Sequence, residues 1–359
     1  MRWRALTALL LAMFLTAVLP LAGMAAAGRG VWDYLVFPPR TEHVQHAPFS
    51  WSAFLLFSLP ALAACALYAV AFTRGRVVGG APTRRRFPWW GWAGLGLVAC
   101  GWILAWSGGL VAPEWRRHTF TPLWLGYAIV MNALAHRSGG LAPVVHRRAW
   151  FLALFPLSAA FWWLFEHLNQ FARNWHYEGV AAASDWDYFL QATLPFATVL
   201  PAVASTLAWL RTFPRIEALR LPPVRGNGAL AWGAITAGAL ALAFLGLRPE
   251  ELFPFVWIAP MLLLVGLQRV LLGATLLAPL ARGDWRPLLQ PALAGLVCGI
   301  FWELWNWGSL AQWRYSIPYV ERFRLFEMPL LGYAGYLPFG LTCALVLDLM
   351  GRITEGAPS

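Results

Sequence analysis

Lysine is missing altogether: all 27 basic residues of this 359-residue chain are arginine. There is therefore no Walker lysine to reach a nucleotide phosphate, and no Gly-rich phosphate cradle accompanies one. A Gly-x-Ser-x-Gly elbow, a His-Glu-x-x-His pair, an Asp-Asp-x-x-Asp of the prenyltransferase type and a haem-attachment Cys-x-x-Cys-His are also absent. These absences argue against ATP-driven transport, serine hydrolysis, zinc proteolysis and c-type cytochrome chemistry. Cysteine is scarce, and Cys65, Cys100, Cys298 and Cys343 each stand alone in an apolar run without metal or redox spacing. They read as small buried hydrophobes.

Charge is also sparse, at 12% of residues against 60% hydrophobic and a mean hydropathy of +0.58. So much apolar surface does not fit one soluble core, and the composition is that of a polytopic membrane protein. A span needs about 20 apolar residues. Ten candidates follow, at 1–27, 51–72, 89–111, 122–134, 150–171, 188–210, 229–247, 253–272, 288–307 and 329–350. The first follows Arg2 and Arg4 and ends in Ala25-Ala26-Ala27, which suits a signal peptide or an anchor. Its length favours an uncleaved anchor.

A net charge of +11 and a pI of 10.2 would suggest a nucleic-acid partner in a soluble protein. Here the arginines fall in short loops between spans, so no nucleic acid is expected. Alternate loops hold Arg74, Arg76, Arg84, Arg85 and Arg86, then Arg137, Arg147 and Arg148, then Arg211, Arg215, Arg220 and Arg225, then Arg269, Arg282 and Arg286. With Arg2, Arg4 and Arg352 this places 18 of the 27 on one side. The positive-inside bias makes that side cytoplasmic, with both termini on it. Twelve of the 16 acids fall toward the other side. The expectation is a multi-pass protein of the cell inner membrane.

One stretch occurs twice. Phe161-Trp162-Trp163-Leu164-Phe165-Glu166-His167-Leu168-Asn169 is answered by Ile300-Phe301-Trp302-Glu303-Leu304-Trp305-Asn306. A Trp-x-Tyr follows each, Trp175 with Tyr177 and Trp313 with Tyr315. Glu166 to Glu303 and Asn169 to Asn306 are each 137 residues apart, and Trp175 to Trp313 is 138. The correspondence extends to Phe120 and Trp124 against Phe253 and Trp257, at 133, and to Pro195-Phe196 against Pro338-Phe339, at 143. The fold expected is all-α: a bundle of about ten transmembrane helices in which spans three to six (88–228) and seven to ten (229–359) are two parallel four-helix repeats after a two-span segment (1–87). Four spans per unit insert both copies the same way up, and repeat interfaces commonly house the site.

The segments Phe120-Thr-Pro-Leu-Trp-Leu-Gly-Tyr127 and Phe326-Glu-Met-Pro-Leu-Leu-Gly-Tyr-Ala-Gly-Tyr-Leu-Pro-Phe-Gly340, with the Trp-Glu-Leu-Trp-Asn run, resemble an uncharacterised family of bacterial multi-pass membrane proteins. The resemblance supports the topology and carries no activity.

Positions three apart share a helix face, so Glu166 with Asn169 and Glu303 with Asn306 each present a carboxylate and an amide to one neighbour. Each Glu lies about six residues inside its span, roughly 9 Å deep at 1.5 Å per residue. Both should face the bundle interior or a wet cavity, the setting of a general acid. The structural alternative is a hydrogen-bonded clamp between the repeats. A third acid follows each copy, Asp185 or Asp187 and then Glu327; with His118, His167 and His176 a metal site can be drawn, but its spacing matches no standard set. No metal and no cofactor are expected. Of the 23 tryptophans, Trp51, Trp89, Trp90 and Trp115 suit membrane interfaces. Trp162, Trp163, Trp302 and Trp305 surround the glutamates, and with Trp175, Tyr177, Trp313, Tyr315 and Glu327 form the candidate substrate site. Aromatic faces beside an acid fit a lipid or isoprenoid substrate and a developing positive charge. Two function classes follow: an enzyme in which Glu166 or Glu303 donates a proton and the asparagines orient the acids, or a proton-coupled transporter or lipid translocase that uses the same acids. A structural or accessory role is the third reading, and membrane lipid is the partner common to all.

Overall fold

The computed structural model describes residues 1–75 and 84–355; Arg76 lies outside them. Among the described residues, eleven helices of twelve residues or more carry the architecture: α1 (Arg2–Ala26), α2 (Trp51–Arg74), α3 (Trp89–Ala105), α4 (Phe120–Arg137), α5 (Arg148–Ala172), α6 (Asp185–Phe196), α7 (Val199–Leu210), α8 (Gly228–Leu245), α9 (Phe255–Leu272), α10 (Arg286–Gly308) and α11 (Tyr336–Thr354). Eight stretches are long and apolar enough to cross a membrane: α1, α2, α5, the run α6–α7, α8, α9, α10, and Leu330–Thr354, which contains α11. They suggest an integral membrane protein.

The two other expected spans differ from their forecast. Helix α3 stops at Ala105 after 17 residues, where Ser107, Gly108 and Gly109 break the pattern and a short 3-10 turn follows. Helix α4 is longer than the expected 122–134, but Asn132, His136 and Arg137 dilute its apolar run. The expected span at 188–210 is two helices. Pro201 lacks an N–H and its ring collides with the carbonyl four residues earlier, which is the usual way a helix is interrupted. Ser158 of α5 covers the break, donating its hydroxyl to Phe196 O at 2.7 Å and accepting from Leu200 N at 3.0 Å. In a membrane interior such freed backbone groups must find partners inside the protein.

Helix α1 packs against α5, α8, α9 and α11, whereas α2 lies outside the bundle with only Ala71 buried. Leu55, Leu56, Leu59 and Leu62 of α2 are exposed, as a lipid-facing helix requires. Cys298 and Cys343 are buried as expected, but Cys65 and Cys100 are exposed on α2 and α3. Both of those helices have an outward apolar face, so a small thiol there needs no burial.

Helix α3 packs on α4, α4 on α7, and α5 on α6 and α7; α8 packs on α9, α9 on α11, and α10 on α11. The two sets meet where α7 contacts α10 and α11 contacts α5. Backbones approach closely where α1 meets α8 and where α10 meets α11: a Cβ on Gly23 would fall 1.7 Å from Ala243 O, one on Gly295 2.4 Å from Tyr336 O, and one on Gly340 2.1 Å from Pro291 O. Only glycine permits that backbone contact, a common device between membrane helices.

The polar ends of the bundle differ. At one end Arg147 pairs with Glu355, Arg352 with Asp348, and Arg286 joins Glu217 and Asp284. Buried amides tie loops down there: Asn132 Oδ1 accepts from Val144 N, and Gln268 Oε1 accepts from Leu276 N. At the opposite end two strands, β1 (Trp175–Glu178) and β2 (Gln312–Tyr315), lie over the helices.

Candidate functional site: two glutamates behind an aromatic wall

Each Glu-x-x-Asn helix hands its chain to a Trp-x-Tyr strand. Helix α5 ends at Arg173, whose left-handed backbone (φ 53°) turns the chain back across the helix end. Strand β1 then pairs antiparallel with β2: Trp175 opposite Tyr315, His176 opposite Arg314, Tyr177 opposite Trp313. The tryptophan of each motif thus faces the tyrosine of the other, as in a pairing about a two-fold axis.

The asparagines fix those strands. Asn169 Nδ2 donates to Trp175 O at 2.7 Å, and its Oδ1 accepts from Asn174 N at 2.8 Å and Trp175 N at 3.3 Å. Asn306 Nδ2 donates to Trp313 O at 2.8 Å, and its Oδ1 accepts from Trp313 N at 2.8 Å. Neither asparagine bonds its own glutamate, so the expected role of orienting the acids is replaced by anchoring the strand. The expected shared neighbour is that strand: Asn169 holds the backbone of Trp175, and Glu166 holds its indole.

Both glutamates are buried. Glu166 Oε1 accepts from Trp162 Nε1 at 2.9 Å, Trp175 Nε1 at 3.1 Å and Tyr177 OH at 2.6 Å. Glu303 Oε1 accepts from Tyr315 OH at 2.7 Å and Tyr336 OH at 2.6 Å, and Trp313 Nε1 donates to the Tyr315 oxygen at 2.7 Å. Glu303 Oε2 is buried with no partner. Among the described residues no arginine or histidine forms an ion pair with either carboxyl group; the ion pairs lie elsewhere. Burial, and then the adjacent Glu166 carboxylate, push the Tyr177 hydroxyl well above the ordinary phenol range. Burial and Glu303 do the same to Tyr315, so both stay donors at neutral pH.

The networks differ at two places: the Trp175 indole donates to Glu166 itself, whereas its counterpart Trp313 donates to the Tyr315 oxygen, and the third donor comes from a different element. The position 137 residues after Trp162 is Gly299, and the ring of Tyr336 occupies the space over it: a Cβ there would fall 2.3 Å from Tyr336 Cδ2. An indole N–H from the same helix serves Glu166, whereas a phenol from α11 serves Glu303.

The donors to both acids line one cavity of about 140 Å³. Trp162, Trp175 and Tyr177 face it from the Glu166 side, and Trp313, Tyr315 and Tyr336 from the Glu303 side. Trp257 and Trp302 complete the aromatic walls; Trp257 stacks on Trp175 with ring centres 5.4 Å apart, and Trp302 on Tyr336 at 5.9 Å. Arg117 and Gln191 add polar groups, and Pro195, Phe196 and Val199 bring the α6–α7 break to the lining. That volume holds several waters or a slender apolar group.

Other candidate residues lie outside the lining. Trp163 donates its Nε1 to Thr193 Oγ1 at 2.9 Å and packs on Phe189 and Phe196. Trp305 is buried against Trp124 and Trp102. Glu327 pairs with Arg314, which also reaches Glu178 on the neighbouring strand. The residues of the drawn metal site are dispersed: Asp185 pairs with Arg40, Asp187 accepts from Ala183 N, His167 bonds Ala17 O, and His176 bonds Glu178. Among the described residues no three His, Cys, Asp or Glu side chains are grouped to hold a metal.

Sequence reasoning missed Tyr336, Trp257 and the segment from Thr41 to Ala47 that backs the strand pair. Thr41 accepts from Asn169, Val44 O accepts from Ser316, and Ala47 N donates to Glu250. The signal for Tyr336 was the glycine standing where the first copy has Trp162. No family model, curated protein or solved structure matches the chain.

Proposed function

We propose that this protein is an integral membrane enzyme that takes the apolar chain of a lipid or isoprenoid into the aromatic cavity and acts on it by general acid catalysis. The observation that carries the reading is that both buried acids are bonded by the side chains that form the cavity wall. The acids stand one side chain behind the wall, which beside them is aromatic with hydroxyl and indole N–H groups; Arg117 and Gln191 are the other polar residues of the lining. Proton transfer therefore runs through the tyrosines, whose side chains line the cavity and whose hydroxyls bond a carboxyl oxygen. Ring faces such as those of Trp257 and Trp302 suit an unsaturated chain and any positive charge formed on it.

In this reading α3 and α4 complete a ten-helix topology with both termini on the arginine-rich cytoplasmic side. The chain is of the inner membrane, and residues 88–228 and 229–359 are parallel repeats. The matching helix pairings and the reciprocal pairing of Trp-x-Tyr support the repeats. So do the paired contacts of Trp124 with Trp302, 4.8 Å between ring centres, and of Trp257 with Phe165, 5.3 Å.

One observation favours a second reading, a proton-coupled transporter or lipid translocase: the break between α6 and α7 lies at the cavity, where transporters place discontinuous helices. Against it, the fully buried Phe165 and Phe339 pack in contact with Trp162 and Trp257 in the bundle. Replacing Glu166 or Glu303 singly by Gln and comparing the lipid extract of the host cell with wild type tests the enzyme. Altered lipid species are expected, and an unchanged extract at normal protein level refutes it.

A further inference from the structure

Building on the enzyme reading, we propose that the two acids have different roles: Glu303 supplies a proton through the Tyr336 hydroxyl to an electron-rich, trisubstituted carbon–carbon double bond, while Glu166 remains ionised and balances the cation that forms. The substrate class narrows accordingly to unsaturated chains with branched double bonds, such as isoprenoids.

The asymmetry rests on how the carboxyl oxygens are satisfied. Three donors converge on Glu166 Oε1, two of them indole N–H groups; Glu166 Oε2 accepts none, but of the two second oxygens only that of Glu303 is both sealed off and unpartnered. An indole N–H donates only and cannot take a proton back, so this arrangement suits a permanent carboxylate. Glu303 has two donors, both phenols, and its Oε2 is buried without a partner. A bare buried oxygen is costly on a carboxylate and much less so on the carbonyl of a neutral acid. A phenol can donate or accept, so its bond to Glu303 can reverse. Tyr315 already accepts from Trp313 Nε1. Tyr336 lines the cavity and bonds Glu303, which leaves it the freer relay.

The step balances without an oxidant. Neutral Glu303 passes its proton to the Tyr336 oxygen as the Tyr336 O–H proton goes to one carbon of the double bond. A C–H bond forms, the π bond breaks, and the other carbon becomes a tertiary cation beside the ionised Glu166 and the tryptophan faces. The Tyr336 hydroxyl then points at the Glu303 carboxylate. Loss of a proton from a neighbouring carbon along the same path restores Glu303 and leaves an isomerised or cyclised hydrocarbon.

The test uses the full chain in lipid nanodiscs in D₂O, with geranylgeraniol as probe and deuterium on carbon counted by mass spectrometry. Wild type is expected to incorporate deuterium; Glu303→Gln and Tyr336→Phe should lose at least about 100-fold of that rate, the scale of general acid catalysis. Glu166→Gln should be slower but keep the alkaline limb of the pH–rate profile, whereas the residual rate of Glu303→Gln should lack it. Glu303→Asp should restore the limb. Quenching of tryptophan fluorescence by the probe confirms that each variant is folded and binds. Glu303→Gln or Tyr336→Phe exchanging at the wild-type rate, or Glu166→Gln losing the limb, overturns the division of roles and leaves the enzyme reading standing. A wild-type protein that binds the probe and incorporates no deuterium overturns both.

Discussion

Replacing Gly299 with Ala adds one methyl group at one of the two points where the glutamate networks differ. Its Cβ would lie 2.3 Å from Tyr336 Cδ2, whereas ordinary contact begins at 3.4 Å, so the ring must retreat by about 1.1 Å. The same displacement carries Tyr336 OH from 2.6 Å to about 3.7 Å from Glu303 Oε1, beyond hydrogen-bond range. Two costs follow: about 1–3 kcal/mol for overpacking, and about 0.5–1.5 kcal/mol for a hydrogen bond between neutral groups. Tyr336→Phe keeps the ring and removes only the bond. In that background Gly299→Ala should therefore cost the packing part alone, and the double-mutant cycle should show a coupling of about 0.5–1.5 kcal/mol. Stability read from SDS unfolding in detergent micelles measures all four proteins. A coupling near zero, or a Gly299→Ala protein as stable as wild type, would show that Tyr336 does not depend on the bare backbone at Gly299.

Glu166→Ala leaves three buried donors without an acceptor and Glu303→Ala leaves two, at about 1–3 kcal/mol per orphaned group; the first should therefore lower the thermal midpoint more, and the reverse order would contradict the networks. Asn169→Ala strips the partners from two backbone N–H groups and one carbonyl at the start of β1, so amide exchange at 174–177 should accelerate while exchange in α8 is unchanged. Uniform acceleration across the bundle would mean that the asparagine supports the whole fold rather than the strand. In a cysteine-free background, Ala112→Cys should react with a membrane-impermeant thiol reagent added outside the cell and Ser138→Cys should not; the opposite pattern would invert the topology.

The spacing of Glu, Asn, Trp and Tyr made the site legible because each residue type has one task in a local unit. Asparagine closes the turn from helix to strand, and the strand returns its phenol to the carboxylate one helical turn earlier, with its indole on the carboxylate in the first copy and on the phenol in the second. Such contacts span about a dozen positions and leave a mark in the sequence. What was hidden is long-range. Trp302 and Trp305 are three apart on one helix, yet only Trp302 reaches the cavity, because Trp124 from α4 covers Trp305. Which helix stands on which side is decided by packing partners, and apolar runs buried on several faces carry no direction for it. The break at 196–199 was hidden for the same reason. Proline in a membrane span is compatible with a kink or a break, and Ser158, 40 residues upstream of Thr198, is what satisfies the open backbone.

The absence of a cationic partner gives the arrangement its chemical sense. A guanidinium would satisfy both oxygens of a buried carboxylate with two parallel bonds, and this chain has 27 arginines from which to supply one. A carboxylate paired in that way is held ionised, and its companion brings a full positive charge to any cavity beside it. Here every bond to Glu166 and Glu303 comes from an indole or a phenol. Those groups add no net charge, present π faces to the cavity, and in the case of the phenols can exchange a proton with the acid behind them. An acid buried among arginines would suit a fixed structural tie, whereas an acid buried among tyrosines keeps its proton mobile and the space in front of it apolar. In the proposed reading that combination serves a site that protonates an unsaturated hydrocarbon chain, and replacing Tyr336 with Phe should then remove the proton path while leaving the aromatic wall in place.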